Sequence, residues 1–243
     1  MTQQDHTYLI NKIREHISFF EEYPWGDSQA LDDLKVSSGN KILSSVVLSE
    51  DTVLELGPPG KLSVSRGLWT RDSEIVSNKL YLHGDHFLHE TAEKQSFLYM
   101  VVIQMNDSDR AVEGGVFRIM NMINKIPGIM TKIFPGKLWI RVHRKVGKNF
   151  SLFNFAQVVR NEYQTIYPEI KNIDIFIAAG NDELISSFQS IASAAGVISG
   201  ENTRLKWESE GIIACTDLDC SVCDEKTACD IIRKVVTFRK RNQ

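Results

Sequence analysis

Cysteine is absent from the first 214 residues of this 243-residue chain, and all four cysteines lie between residues 215 and 229. Buried cysteines that serve as small hydrophobic residues scatter along a sequence, so clustering in a charged segment does not fit core packing. The chain is long enough to bury a substantial core without disulfides. We therefore interpret the four thiols as a metal site, in a cytoplasm that keeps thiols reduced.

The sequence also lacks a large net charge and a long hydrophobic run. Its 28 basic and 31 acidic residues give a formal charge of -3 and a pI near 6.1, which argues against nucleic acid or an anionic membrane as a partner. Apolar runs such as residues 97–103 are much shorter than the roughly 20 residues that span a bilayer. The first six residues contain neither a basic leader nor an apolar core, so we expect a soluble, cytoplasmic protein.

Hydrophobic spacing predicts a mixed α+β fold whose first half is rich in sheet. Residues 8–23 place apolar side chains at helical intervals, which predicts an amphipathic helix that ends at Pro24. Later segments are rich in β-branched and aromatic residues, which favour strands. These strand candidates are residues 42–48, 52–56, 61–70, 80–83 and 96–105.

Beyond residue 107 the pattern alternates between helix and strand. The predicted elements are a helix from Asp109, a strand at 137–144, a helix at 151–167, a strand at 172–178, a helix from 181 to about 195 and a last helix from Asp224. We divide the chain into a helix and sheet-rich region (1–106), an α/β region (107–213) and a cysteine-containing tail with a helix (214–243). The three regions can form one compact domain.

The cysteines follow the spacing C-x4-C-x2-C-x5-C, as Cys215, Cys220, Cys223 and Cys229. The short loops between the first three suit an iron–sulfur cluster, with a [4Fe–4S] cluster as the main expectation, whereas C-x2-C alone suits zinc equally well. Redox-active or unligated thiols are the third interpretation. The surrounding acidic residues disfavour a reduced cluster and predict a low-potential or structural centre. They are Asp217, Asp219, Asp224 and Glu225.

Three histidines form a second group of potential ligands, because His83, His86 and His89 lie within seven residues, together with Asp85. This set contains enough donors for zinc, nickel or iron. On a helix, however, the spacing H-x2-H-x2-H would spread the rings over too wide an arc for one ion. The spacing therefore leaves both a metal site and a solvated loop open.

The order of several motifs in the second half of the chain is the basis for a comparison with known families. The segment Lys137-Leu-Trp-Ile-Arg-Val-His precedes Phe155-Ala-Gln-Val-Val, Ile166-Tyr-Pro-Glu-Ile and Ile173-Asp-Ile-Phe-Ile, and Arg204 and the cysteines follow. This order resembles the middle domain of acetyl-CoA synthase, the beta subunit partnered with carbon monoxide dehydrogenase. The resemblance covers about residues 50 to 230. It identifies the chain as a short stand-alone relative of that family.

The resemblance implies an accessory or electron-transfer subunit that carries an iron–sulfur cluster and works with a larger enzyme or redox protein. It also implies coenzyme A or an acyl-CoA as a ligand. The adenine of coenzyme A would stack on Trp139, and Arg141 and Arg144 would bind the phosphates of the same ligand. The rival interpretation is a tryptophan half-buried in a sheet with solvated arginines.

Two other functions stay open at this level. One is a zinc-stabilised binding module without a redox step, and the other is a subunit of a one-carbon or acyl-transfer enzyme. The family's nickel-containing cluster needs bridging thiolates beyond a cubane, so four cysteines fit one ordinary four-thiolate site. The sequence shows no serine or cysteine nucleophile with a recognisable setting, and it identifies no catalytic residue.

Overall fold

The fold is given by a computed structural model, which describes residues 3–25, 47–70, 76–84, 93–104, 119, 123–124, 128–134, 136–147, 150–198, 206–207 and 213–214. The chain divides into two compact units, one of residues 6–192 and one of residues 1–5 with 193–243. Helices and mixed sheets are both present, so the predicted α+β fold is confirmed. Within the described ranges, no helix has the length and apolar character needed to cross a membrane.

The helices are α1 (Gln3–His16), followed by a 3-10 turn at Ile17–Phe19, then α2 (Arg144–Gly147), α3 (Leu152–Ile166) and α4 (Asp182–Ile198). Ser151 stands in an extended conformation before α3, and its hydroxyl accepts a hydrogen bond from the backbone N–H of Asn154 at 3.0 Å. The Asn181 side chain accepts in the same way from Leu184 N–H at 3.0 Å before α4. These caps fix where both helices begin.

The strands, in chain order, are β1 (Glu21–Pro24), β2 (Thr52–Leu56), β3 (Ser63–Thr70), β4 (Lys79–His83), β5 (Glu93–Gln95), β6 (Phe97–Gln104), β7 (Ile129–Phe134), β8 (Lys137–His143), β9 (Asn172–Ala179), β10 (Lys206–Trp207) and β11 (Ile213–Ala214). A five-stranded sheet has the order β1-β4-β9-β6-β3, and a four-stranded sheet has the order β5-β2-β8-β7. Strands from both sides of residue 106 pair in each sheet.

Parallel and antiparallel pairs alternate across the five-stranded sheet. β4 runs parallel to β9 and β3 runs parallel to β6, while β6 and β9 are antiparallel. In the four-stranded sheet β5 is parallel to β2, and β8 is antiparallel to both β2 and β7. In the other unit, β10 and β11 form an antiparallel pair.

The core of the larger unit lies on both faces of the five-stranded sheet. All eight residues of β6 are buried, as expected of a strand covered on both sides. On one face Tyr99 meets Phe155 of α3 edge-to-face, with ring centroids 6.5 Å apart. On the other face Phe176 packs against Phe20 and Phe188, with centroids 5.7 and 6.1 Å away. Apolar burial on this scale is the main stabilising term.

A buried acid on β9 organises the turn before β4. Asp174 is 3 % exposed, and its carboxylate accepts hydrogen bonds from the backbone N–H groups of Ser77 (2.9 Å) and Lys79 (2.7 Å). Burial raises the pKa of Asp174 above its ordinary value, and the two backbone donors oppose that rise. The carboxylate thereby stabilises a turn in which Asn78 has a φ of 56°.

Two close connections join the sheets of the larger unit. The Ser63 hydroxyl donates to the backbone oxygen of Leu138 at 2.7 Å and accepts from the N–H of the same residue at 3.1 Å. A single residue, Ser96, separates β5 of one sheet from β6 of the other. The two sheets are therefore joined by hydrogen bonds between the Ser63 side chain and the Leu138 backbone, and by the continuous chain at Ser96.

The predicted element bounds differ from the structure mainly at short edge strands. The helix predicted for residues 8–23 stops at His16, because Glu21–Pro24 pair with β4 as β1. The sequence patterns predict neither β5 nor β7. The predicted strand at 42–48 lies outside the described residues except for its last two positions, which are not in a strand. The helix starts predicted at Asp109 and Asp224 lie outside the described residues.

Candidate functional site

Trp139 lies on the outer face of the four-stranded sheet. Along β8, Leu138, Ile140 and Val142 are buried in the core, while Trp139 and Arg141 are half-buried on the opposite face. This is the alternation that the sequence predicts for the segment. The structure therefore brings together two of the three residues proposed to bind a cofactor.

Glu55 is the centre of this outer face. Its side chain is only 5 % exposed, and its carboxylate accepts from the Trp139 indole N–H at 2.9 Å and from Arg141 Nε at 3.3 Å. The ammonium group of Lys94, which is 63 % exposed, lies 3.7 Å from the same carboxylate. A buried carboxylate with an indole donor and two cations is well compensated, because its hydrogen bonds and its charge are both satisfied.

Two cations lie over the Trp139 ring. The guanidinium carbon of Arg141 is 4.6 Å from the ring centroid, and the ammonium nitrogen of Lys132 is 5.1 Å from it. Lys132 stands directly across from Trp139 in the β7–β8 pair. We call Glu55, Lys94, Lys132, Trp139 and Arg141 the Trp139 face. Lys132 and Arg141 lie within the range of a cation–π interaction with the ring.

Arg144, the third residue proposed for the cofactor, lies elsewhere. β8 ends at His143, and Arg144 begins the short helix α2. Its guanidinium donates to the backbone oxygen of Glu50, and its backbone N–H donates to the oxygen of Asp51 at 2.9 Å. Arg144 therefore stabilises the turn before β2. Among the described residues its side chain forms no hydrogen bond or ion pair with Glu55 or Trp139, and its part in a cofactor site stays a prediction.

An open cavity of about 580 Å³ adjoins the Trp139 face through Lys94. It is lined by Lys61, Lys94, Gln95, Ser96, Gly180 and Asp182. The Ser96 side chain is buried, and its hydroxyl has no hydrogen-bond partner. The residues that line the cavity thus include two lysines, one aspartate and a serine whose buried hydroxyl is unsatisfied.

Sequence reasoning missed Glu55, Lys94, Lys132 and the cavity. Glu55 did offer a signal, because it is the one charged residue in β2 and lies between two leucines. A single acid at a core-like position indicates a buried, partnered charge. Lys94 and Lys132 offered no such signal, since exposed lysines are common and only strand pairing places these two beside Trp139 and Glu55.

His83, the first of the three clustered histidines, has both ring nitrogens engaged. Nδ1 lies 2.7 Å from the backbone oxygen of Phe19, and Nε2 lies 3.1 Å from the side-chain nitrogen of Asn181. A carbonyl oxygen can only accept, and the Asn181 oxygen already caps α4, so Nδ1 donates and Nε2 accepts. His83 therefore links two backbone segments. His86 and His89 lie outside the described residues.

The four cysteines proposed as metal ligands, Cys215, Cys220, Cys223 and Cys229, also lie outside the described residues. Among the residues that are described, no group of three or more histidine, cysteine, aspartate or glutamate side chains could hold a metal ion. Comparison with known proteins found no matching protein-family profile and no matching curated protein. The resemblance to acetyl-CoA synthase stays a prediction.

Proposed function

We propose that this chain is an iron–sulfur protein whose cluster is ligated by Cys215, Cys220, Cys223 and Cys229. In this proposal it serves in the cytoplasm as an accessory or electron-transfer subunit of a larger enzyme or redox protein. The observation that carries the proposal is the spacing C-x4-C-x2-C-x5-C in a chain with no other cysteine. Four thiolates within fifteen residues suit a single four-ligand site.

The donor set fits a [4Fe–4S] cluster, which would supply one-electron transfer when bound. The same thiolates also fit tetrahedral zinc, because the C-x2-C pair at Cys220 and Cys223 suits zinc equally well. A zinc site would make the tail a structural element of a binding module. Acidic neighbours such as Asp219 and Asp224 lower the reduction potential of a cluster, because their negative charge disfavours the addition of an electron.

Metal analysis of the full chain after anaerobic purification tests the proposal. We expect about four iron and four sulfide per chain, with visible absorption that is bleached by a reductant. Cys220→Ser combined with Cys223→Ser should abolish both. Ser221→Ala is the matched control, because it alters the same loop without removing a thiol. A colourless protein with stoichiometric zinc would overturn the iron–sulfur proposal in favour of the zinc module.

We further propose that the Trp139 face binds coenzyme A or an acyl-CoA. Trp139 is only partly buried, and a stacking base would take the place of the Lys132 ammonium group that lies over its ring. Lys132 and Lys94 are exposed cations at the same face. Arg141 shares its charge with Glu55 and is therefore a weaker phosphate ligand than the sequence alone suggests. Coenzyme A combines an adenine with phosphates, which matches this chemistry.

Calorimetric titration with coenzyme A tests this second part. Trp139→Ala should weaken binding about tenfold to a hundredfold, because stacking contributes about 1–3 kcal/mol per base. Trp139→Phe retains an aromatic face and should lose less. Arg144→Ala is the matched control, since Arg144 contacts Glu50 and lies off this face.

Two results would count against the coenzyme A proposal. One is the absence of binding to the wild-type chain, and the other is wild-type affinity in Trp139→Ala. The second result would assign Trp139 a structural role as a hydrogen-bond donor to Glu55.

A further inference from the structure

We propose that the cavity beside the Trp139 face is an oxyanion site that takes a phosphate or diphosphate group. The cavity volume of about 580 Å³ accommodates such a group together with water. If the cavity binds the phosphates of coenzyme A, the inference rests on the proposed function. If the cavity binds free phosphate, the inference is independent of the proposed function.

Two ammonium groups supply the positive charge. Lys61 follows the Gly57–Gly60 turn, and its backbone N–H donates to Pro58 at 3.0 Å, which holds this segment in a tight turn. Among the residues that the structure describes, no carboxylate pairs with the Lys61 ammonium group. Lys94 is 63 % exposed and only 3.7 Å from Glu55, so it can turn partly toward a ligand without leaving a buried charge unpaired, because Arg141 and Trp139 still contact Glu55.

The start of α4 supplies backbone donors. Gly180 and Asp182 line the cavity, and Asn181 between them caps the helix through Leu184 N–H. The remaining N–H groups of the first turn have no partner inside the helix, and the helix dipole favours an anion there.

Ser96 is the observation that points independently to a ligand. It lines the cavity, its side chain is 2 % exposed, and its hydroxyl makes no hydrogen bond. Its backbone oxygen accepts from Gly180 N–H at 3.1 Å, which ties it to the segment before α4. A buried hydroxyl without a partner is unfavourable, and we assign a ligand oxygen at this wall of the cavity as its partner.

Asp182 opposes the other groups, because its carboxylate lines the same cavity. It repels an anion but also complements the helix dipole in the empty state. The lysines and Asp182 should therefore change the affinity for an oxyanion in opposite directions. Removing either lysine should weaken oxyanion binding, and removing the negative charge of Asp182 should strengthen it.

Titration of the full chain with inorganic pyrophosphate at fixed ionic strength tests the inference. Lys61→Ala and Lys94→Ala should each raise the Kd about tenfold, since hydrogen bonds to charged groups are of that order. Ser96→Ala should raise it less, and Asp182→Asn should lower it. Arg144→Ala is the control and should leave the Kd unchanged. Both lysines and Asp182 are surface groups, so these variants should retain the fold.

Parallel titrations with inorganic phosphate and with coenzyme A separate the possible sources of the oxyanion. Pyrophosphate binding that depends on Lys61 and Lys94 but not on Trp139 supports the inference even if coenzyme A fails to bind. If neither pyrophosphate binding nor coenzyme A binding is affected by the two lysine variants, while coenzyme A binding is lost in Trp139→Ala, the inference is overturned and the proposed function is left intact. Absence of pyrophosphate binding, or tighter binding in Lys61→Ala, also overturns it.

Discussion

Gly57→Ala is expected to lower the free energy of unfolding by about 3 kcal/mol or more, the effect of a strained and overpacked backbone position. Gly57 has a φ of 64°, and its backbone N–H donates to the oxygen of Gln95 at 2.8 Å. A Cβ there would lie 2.4 Å from the backbone oxygen of Leu138 and 2.7 Å from the hydroxyl of Ser63. Neither neighbour moves freely, because both belong to the hydrogen bonds that join the two sheets.

Gly60→Ala is the matched control for this experiment. Gly60 has a φ of 87°, yet nothing lies within 4 Å of a Cβ built there. Alanine at this position meets only the left-handed backbone strain of about 1–2 kcal/mol. Urea denaturation of both variants separates the two contributions. Equal destabilisation would show that the close approach of Gly57 to β8 contributes nothing.

Glu55→Ala is expected to destabilise the protein by about 3 kcal/mol, because it leaves a largely buried guanidinium without its carboxylate. The Arg141 side chain is 20 % exposed, so solvent compensates little of the loss. The Trp139 indole N–H loses its acceptor in the same variant. The expected loss should vary little with salt concentration, since buried pairs are weakly screened.

The exposed pair of Lys12 and Glu15 provides the comparison for Glu55. These side chains are 2.8 Å apart and are 40 % and 54 % exposed, so Glu15→Ala should lower stability only slightly, and less still in high salt. Denaturation of both variants at low and high salt is the measurement. If Glu55→Ala were no more damaging than Glu15→Ala, the carboxylate would not be the anchor of the Trp139 face.

Local pattern was sufficient to predict most of the strands but not three of the strands at sheet edges. β6 and β8 are long enough for burial or alternation to register in the sequence, and both were predicted nearly to their ends. β1, β5 and β7 are edge strands of three to six residues. Their conformation depends on partners distant in sequence, such as the pairing of Glu22 with Tyr81, and tertiary pairing overrides local propensity.

In the candidate site, too, local spacing predicted some residues and could not predict others. Trp139 and Arg141 are two positions apart on one strand, so the alternation rule was enough to place them together. Arg144 lies beyond the end of β8, where that rule no longer applies. Glu55 joins the site from 84 residues earlier in the chain, and no spacing rule connects residues at that separation.

The position of β9 bears on how the chain folds during synthesis. β9 fills the place between β4 and β6, and it pairs Leu80 with Ile175 and Val101 with the same residue. Until the ribosome has released β9, the apolar strands β4 and β6 have no central neighbour. Loop closure over such separations slows folding and prolongs the exposure of unpaired strands. The nascent chain therefore exposes two unpaired apolar strands until its central strand has emerged.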